Sequence, residues 1–589
     1  MLKQALIVVA FLTLLRAPFL NHPIQGDDFY YLSAAQWAQV DPAHPHHAQY
    51  VFLGVPMDMR GHPHPPGNAW LLASLLALTG DIKEIPYHAA YFLLSVIAAL
   101  STLALARRFV PARALEATLL FCAVPAFVVN SNSLEADLPF LAFWLLSFSL
   151  TIAGRTLLAA PAIAICSLMA YQSVVLIPIL GWWMYREKTL KSQAWLLAIP
   201  PITIGAWLLF ERLTSATLPI QVLNQHFQTY GLQRLEAKLK SAAALSGHLA
   251  VMLTPFGLWA LFRRRHWFLT TWIAVFFAAA LVLFFAGSAR YLLPLAAPFA
   301  ILTALYYQNR PVILYTALAL QLALGIGLAI SNYDHWNGYR HFVREALQRT
   351  QHHRVWINGE WGLRHYAESE GAIPLQRGQV LRPGDYLIDS ALAERIPFTT
   401  GGGQLVPQLR REITSRLPFR IIGLGVKSGY SSVGFGLRPF DLSTTPIDIV
   451  TLSVLIERAP TLSWLPMTVP DTEWQLVSGV YTLENSEWRW MGPQAVFLLK
   501  SPPSATPLAA DIYIPDQAPG RTVILSLDGR EVARQSVKPG DKLRIASPPV
   551  QPAGPTATIT LTIDKEFQAP GDDRHLGMVL IAAGFAPPQ

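Results

Sequence analysis

Up to about residue 330 the chain is a series of apolar runs broken by short polar gaps, and beyond it the runs shorten, alternate, and are separated by Pro, Gly and Asp. The pattern divides the chain into an apolar half and a half of ordinary globular character. A helix needs about 20 apolar residues to cross a bilayer, fewer where the membrane thins or neighbours cover its ends. On that ruler the first half holds about eleven candidate spans. They lie near 4–20, 86–106, 114–130, 138–154, 156–170, 173–185, 194–211, 245–262, 267–286, 291–307 and 311–330. The fifth and sixth are short and contain Pro, which breaks the helical hydrogen-bond ladder.

The gaps orient these runs. Alternate gaps carry Arg107, Arg108 and Arg113, then Arg155, then Arg186, Lys188 and Lys191, then Arg263, Arg264 and Arg265, then Arg310. Lys and Arg near span ends resist translocation, so these gaps face inward with the N-terminus. The remaining gaps, 21–85, 131–137, 171–172, 212–244 and 287–290, then face outward, as does everything after about Ser331. The long first outer loop, 21–85, contains two stretches suited to helices lying on the membrane surface. In 28–40, Tyr31, Ala34, Ala35 and Ala38 fall near helical spacing. Pro65-Pro66-Gly67 would open the second, around 70–78.

The second half reads as two soluble units. From 331 to 465 a helical pattern at 339–348 mixes with strands at 354–357 and 385–388, which predicts a small α/β unit. The run 447–456 is too short to span and fits a buried strand. From 466 to 589 the apolar runs 496–499, 510–514, 522–527 and 556–563 are strands between turn residues, for which a β-sandwich is the natural closure. Trp488, Trp490 and Tyr481 are candidates for stacking on sugar rings, although core packing is their commoner use. The predicted fold is therefore a polytopic α-helical membrane protein, 1–330, carrying an outer-face α/β unit and then an all-β sandwich.

Composition agrees. With 52% hydrophobic and 14% charged residues and 17 Trp, the 589-residue chain is too apolar for a soluble enzyme of its length. The net charge of +8 sits largely in inward gaps, where it orients helices, so nucleic acid is not an expected partner. The two cysteines, Cys122 and Cys166, each lie inside an apolar run and form no disulfide or metal framework. The first run follows Lys3, but Arg16-Ala17-Pro18 offers no small-residue cleavage site, so it is read as a retained helix.

Chemistry concentrates in the outward gaps. Asp27 and Asp28 follow the first span, and Glu135 and Asp137 stand in the second outward gap. Each can cap a helix, and each can accept a proton at a membrane-surface site. Arg290 and Tyr291 begin a late span, where Arg is either a headgroup anchor or an anion ligand. His22, His44, His46, His47, His62 and His64 crowd the first loop, but their spacing fits no standard zinc pattern and Pro interrupts it. Gly401-Gly402-Gly403 is a turn rather than a phosphate loop, since no strand-to-helix context with Lys follows.

Taken together, four stretches resemble the C-type glycosyltransferase superfamily, in particular its protein O-mannosyltransferases and the aminoarabinose transferases that modify lipid A. They are Gly26-Asp27-Asp28-Phe29-Tyr30-Tyr31-Leu32, His62-Pro63-His64-Pro65-Pro66-Gly67, Asn132 to Pro139, and Arg290-Tyr291-Leu292-Leu293-Pro294. The acidic pair here is Asp-Asp, which leaves open which carboxylate is catalytic, and His64 stands at a position that is basic in the family. The resemblance covers about residues 1–330. It implies an inverting transfer of a sugar from a polyprenyl-phosphate carrier to a lipid, glycan or protein acceptor at the outer face of a bacterial inner membrane.

By that resemblance Asp27 is the favoured base and Asp28 its partner or a metal contact. Glu135 or Asp137 supplies a second acid, and Arg290, with Tyr291 and more weakly His64, meets the carrier phosphate. Membrane lipids are the expected surroundings. No cofactor is required, although paired carboxylates are able to recruit Mg²⁺ or Mn²⁺. The rivals are a polytopic lipid or polysaccharide transporter or flippase, and a non-catalytic assembly scaffold.

Overall fold

The computed structural model describes residues 2–586 apart from 216, 230–233, 253, 264–265, 351–352, 469, 485, 570–571 and 573. Arg264 and Arg265 of the expected basic gap therefore lie outside the described residues. Each of the eleven apolar runs is largely helical over its described residues, but not each is long enough to span. Among the described residues, five helices have the length and composition to cross a membrane: Leu2–Phe19, Glu84–Phe109, Leu190–Ser215, Ala289–Tyr306 and Pro311–Thr350. A bent pair, Leu235–Val251 and Phe256–Arg263, meeting at 95°, makes a sixth if counted as one.

The expected count of about eleven spans is thus not matched, for reasons of length. Asp137–Ile152, Thr156–Met169 and Trp267–Leu283 have 16, 14 and 17 residues. At ~1.5 Å per residue these reach about 21–26 Å, short of a hydrocarbon core of about 30 Å. The run at 114–130 is divided into Ala114–Cys122 and Pro125–Asn130, most of whose side chains are buried in protein. Cys122 and Cys166 are free and buried, as small core residues.

One face of the bundle is capped by the long first loop and the α/β unit. The loop forms helix Asp28–Trp37, hairpin Gln49–Phe52 with Val55–Asp58, and helix Gly67–Thr79, entered through Pro66. Gly67 is required there, because a Cβ would stand 2.6 Å from the Leu168 carbonyl oxygen. Pro311–Thr350 is one 40-residue helix that runs from the bundle into the α/β unit. That unit's sheet runs in the order Ile373–Pro374, Val355–Asn358, Tyr386–Ser390, Asp448–Glu457, Gly403–Ile413. The first three strands are parallel and the last two antiparallel additions. Ile357, Ile388, Val450 and Leu452 share one core with Tyr339, Phe342 and Val343 of the long helix and, through it, with the bundle.

The C-terminal unit has its own core. Its strands form a single nine-stranded network rather than the two separate sheets of the expected sandwich. The sheet's end strands, Arg530–Val537 and Lys542–Val550, are consecutive in sequence and joined by residues 538–541. A turn that short forces the sheet to curl until its ends meet around the apolar interior. Trp490 packs on Phe567, and the Tyr481 hydroxyl donates to the His575 carbonyl at 3.1 Å, so both are engaged internally.

Two buried polar locks fix the capped face. In the first, Asp28 is fully buried and accepts from Ser133 Oγ at 2.7 Å, Leu134 N at 2.7 Å and Gln25 N at 3.2 Å. It thereby joins the first loop to residues 131–137. Asn68 and Tyr91 both bond the Leu134 carbonyl, at 2.9 and 2.8 Å, and His88 Nε2 lies 3.0 Å from the Asn132 carbonyl. In the second, Glu360 accepts from Tyr30 Oη at 2.8 Å, Leu53 N at 2.9 Å and Arg364 Nη1 at 2.9 Å. Arg364 also bonds the Val51 carbonyl and lies over the Phe29 ring. The α/β unit is thereby bolted to the hairpin and to the helix that begins at Asp28.

Two expected outcomes follow from these locks. Arg364→Ala leaves Glu360 buried without its counter-ion, a loss of about 3–5 kcal/mol. It should lower the melting temperature and speed proteolysis within residues 49–58, whereas unchanged values would deny the ion pair that role. Burial pushes the Asp28 carboxyl up to about 7, against the pull of its three hydrogen bonds. A group raised in the folded state contributes stability that is full below its unfolded pKa and lost as pH rises through the folded one. Wild type should therefore lose stability relative to Asp28→Asn between about pH 4 and 7; a melting-temperature difference independent of pH would contradict this.

Candidate active site

Beside these locks a cleft is centred on Arg290. This residue lies in a short 3-10 turn, Ala289–Leu292, that runs into helix Leu293–Tyr306. The turn is held from the α/β unit: Ala289 N and Ser288 Oγ both donate to the Tyr430 carbonyl at 3.0 Å, and Val433 N donates to the Ala286 carbonyl at 2.8 Å. The guanidinium, at 19% exposure, meets carboxylates from both expected loops. Nη2 is 3.2 Å from Asp27 Oδ2, Nε is 3.5 Å from Asp137 Oδ2, and Nη1 pairs with Glu135 Oε2.

The four acids differ by environment. Asp27 is the N-cap residue of helix Asp28–Trp37, yet its side chain makes no capping hydrogen bond. It turns to Arg290 instead and is 42% exposed, the most accessible carboxylate of the group. Gly26 at φ +45° makes the preceding turn, where a Cβ would stand 3.4 Å from Glu135 Oε1. Glu135, at 6% exposure, is raised well above the usual carboxylate range by burial, with Arg290 opposing and the neighbouring acids adding to the rise. Asp137 opens helix Asp137–Ile152 at 13% exposure.

Asp28 corrects the sequence expectation. It points away from the cleft into the 131–137 loop, its oxygens occupied by the three donors named above, so it holds the loops rather than sharing a substrate or an ion with Asp27. Because the two carboxylates face apart, the pair offers no common donor set for Mg²⁺ or Mn²⁺. The carboxylates that could meet a cation in the cleft are Asp27, Glu135 and Asp137, and all three are turned to Arg290.

His64 lines the same cleft with Asp137, Phe140, Gln172, Phe284, Arg290 and Tyr291. Burial holds its imidazole below the ordinary value, against the pull of Asp137, so it is neutral at pH 7 and not the cation expected of a phosphate ligand. Tyr291 lies under the guanidinium at 5.6 Å and packs on Phe284 at 4.4 Å. The cleft therefore joins the Asp137 carboxylate, the Arg290 guanidinium and an aromatic wall, with the more accessible Asp27 held against the same guanidinium, the parts needed to take a proton from a hydroxyl and to meet an anionic leaving group.

Sequence reasoning missed Glu360 and Arg364, whose i,i+4 spacing resembles an ordinary surface pair, and Tyr430, whose backbone holds the Arg290 turn. It also passed over Asp41, His44 and His47, whose candidate ligand atoms all lie within 4.8 Å of one another.

Residues 63–208 match the family model described as dolichyl-phosphate-mannose-protein mannosyltransferase. No curated protein matches the chain. Among solved structures it aligns with ArnT from Cupriavidus metallidurans bound to undecaprenyl phosphate, at 14% identity and a TM-score of 0.38, over 59% of this chain and 64% of that one. It also aligns with a mutant form of arabinofuranosyltransferase AftD from Mycobacteria, at 14% identity and a TM-score of 0.39, over 99% of this chain and 61% of that one. The chain thus spans less than two thirds of the length of either structure. The matched segment contains His64, Glu135 and Asp137, and over residues 63–208 the chain is similar to the protein mannosyltransferases, one of the groups that its four stretches resemble.

Proposed function

We propose that the chain is an integral membrane glycosyltransferase of the C-type that moves a sugar from a polyprenyl-phosphate carrier to a lipid, glycan or protein acceptor. The observation that carries this reading is the 3.2 Å contact of Asp27 with Arg290, which sets a 42% exposed carboxylate beside a guanidinium. The family match over residues 63–208 supports it, and so do the helices long and apolar enough to cross a membrane.

In this mechanism the acceptor hydroxyl gives its proton to Asp27 as its oxygen attacks the anomeric carbon. The bond from that carbon to the phosphate oxygen breaks, the electron pair leaves with the phosphate, and attack opposite the leaving group inverts the configuration. Arg290 offsets the charge gathering on the phosphate. The bacterial inner membrane, with the capped face turned outward, is the location that the basic gaps and the carrier chemistry favour together.

The test is transfer from labelled polyprenyl-phosphate sugars by the purified full chain. Asp27→Asn should cut turnover about 10²–10⁴-fold with an unchanged melting temperature. Arg290→Lys keeps the charge but loses the planar fork, and should weaken turnover and the KM for donor together. Equal transfer by wild type and Asp27→Asn would remove Asp27 from the chemistry. A folded wild type that turns over no donor but moves labelled carrier lipid across vesicles would favour the transporter.

A further inference from the structure

We propose that Asp41, His44 and His47 form a binding site for a zinc-class divalent cation, which ties the first loop to the end of the helix that closes at Ser215. The site is separate from the Arg290 cleft and does not rest on the glycosyltransferase reading.

Local geometry brings the three together. His44 N bonds the Asp41 carbonyl at 3.2 Å and His47 N bonds the His44 carbonyl at 3.1 Å, so two successive tight turns repeat every third residue. Near three residues per turn, side chains at i, i+3 and i+6 stack along one edge. The two imidazoles are accordingly stacked at 4.5 Å, with Phe210 against the other side of His44 at 5.2 Å. The set is two nitrogens and one carboxylate, a combination that zinc accepts with a fourth position left to water.

Hydrogen-bond accounting calls for a cation here. Thr214 Oγ1 gives its one proton to the Phe210 carbonyl at 2.8 Å, so it can only accept from His44 Nε2, which lies 3.0 Å away. His44 then carries its hydrogen on Nε2 and turns Nδ1 toward Asp41 Oδ2 at 2.8 Å. A lone pair and a carboxylate that close require a proton or a metal ion between them. His47 is held in the same way, its Nε2 3.0 Å from Glu211 Oε2. Ring nitrogens held by acceptors on an adjoining helix are the outer support that metal-bound histidines characteristically have.

Glu211 supplies an independent sign. It is fully buried, and among the described residues its Oε1 has no hydrogen-bond partner. Among the described residues the nearby Arg60 is ion-paired with Asp58 at 2.5 Å. A divalent ion carried by His47 offsets the buried charge on Glu211, to which His47 is bonded.

The experiment uses the full-length protein with a histidine-free affinity tag, stripped with a chelator, dialysed and titrated with Zn²⁺. Elemental analysis and competition with a chromophoric chelator read stoichiometry and affinity. We expect about one equivalent per chain and a melting temperature that rises on zinc addition. His44→Ala with His47→Ala should abolish the equivalent, Asp41→Asn should weaken it, and Glu211→Gln should weaken it about 10–100-fold. Asp27→Asn should bind zinc like wild type, which separates this site from the cleft. The proposal is overturned if wild type takes up no more zinc than the double variant. It is also overturned if Asp41→Asn and Glu211→Gln, folded by their melting temperature, bind as wild type does.

Discussion

A guanidinium embedded at the edge of an apolar bundle needs negative charge within a few ångströms, and the capped face is organised around meeting that need for Arg290. Three carboxylates reach it from two loops far apart in sequence. Each of those loops must be held in place by something other than Arg290, because three acids around one cation repel one another. Asp28 joins the loops to each other, while Asn68, Tyr91 and His88 anchor the second loop to helices. The division of labour within the Asp-Asp pair follows: one carboxylate is spent on fastening and the other stays accessible.

The extramembrane α/β unit belongs to the same construction. The turn that presents Arg290 hangs from the Tyr430 backbone, and the helix that begins next to Asp27 is bolted to Glu360 through Tyr30. Bundle and α/β unit also share one continuous core. The site is thus as much a product of the second half of the chain as of the first. The C-terminal sheet, closed around its own interior, stands apart from that core.

Much of this was legible in the sequence where local rules suffice. Pro65-Pro66-Gly67 announced the helix Gly67–Thr79, alternation announced the strand Thr556–Ile563, and the short run at 447–456 became the strand Asp448–Glu457. Apolar run length was a poorer guide to span number, because a run counts apolar residues whether they face lipid or protein, and Pro125 begins a new helix inside one of them. Of the residues flagged by motif, Asp27, Glu135 and Asp137 meet at Arg290, with Tyr291 beside it and His64 in the same cleft, whereas Asp28 does not. What sequence could not disclose were partners defined by distance in space: Ser133 for Asp28, Tyr430 for the Arg290 turn, and Thr214 for His44. A one-dimensional pattern carries no trace of them. The set of Asp41, His44 and His47 was hidden for a different reason, since three-residue spacing means little until the backbone is known to turn in threes.

The 40-residue helix Pro311–Thr350 has a mechanical consequence. At ~1.5 Å per residue it is about 60 Å long, twice a hydrocarbon core of about 30 Å. A bilayer crossed by this helix would leave about half of it clear of the lipid, a stiff post to which the α/β sheet is fastened through Tyr339 and Asp448. The height of that sheet above the bilayer is then a fixed length rather than a matter of linker slack. Removing residues from the post would lower the sheet by about 1.5 Å each and turn it by about 100° each about the helix axis, so height and facing are coupled.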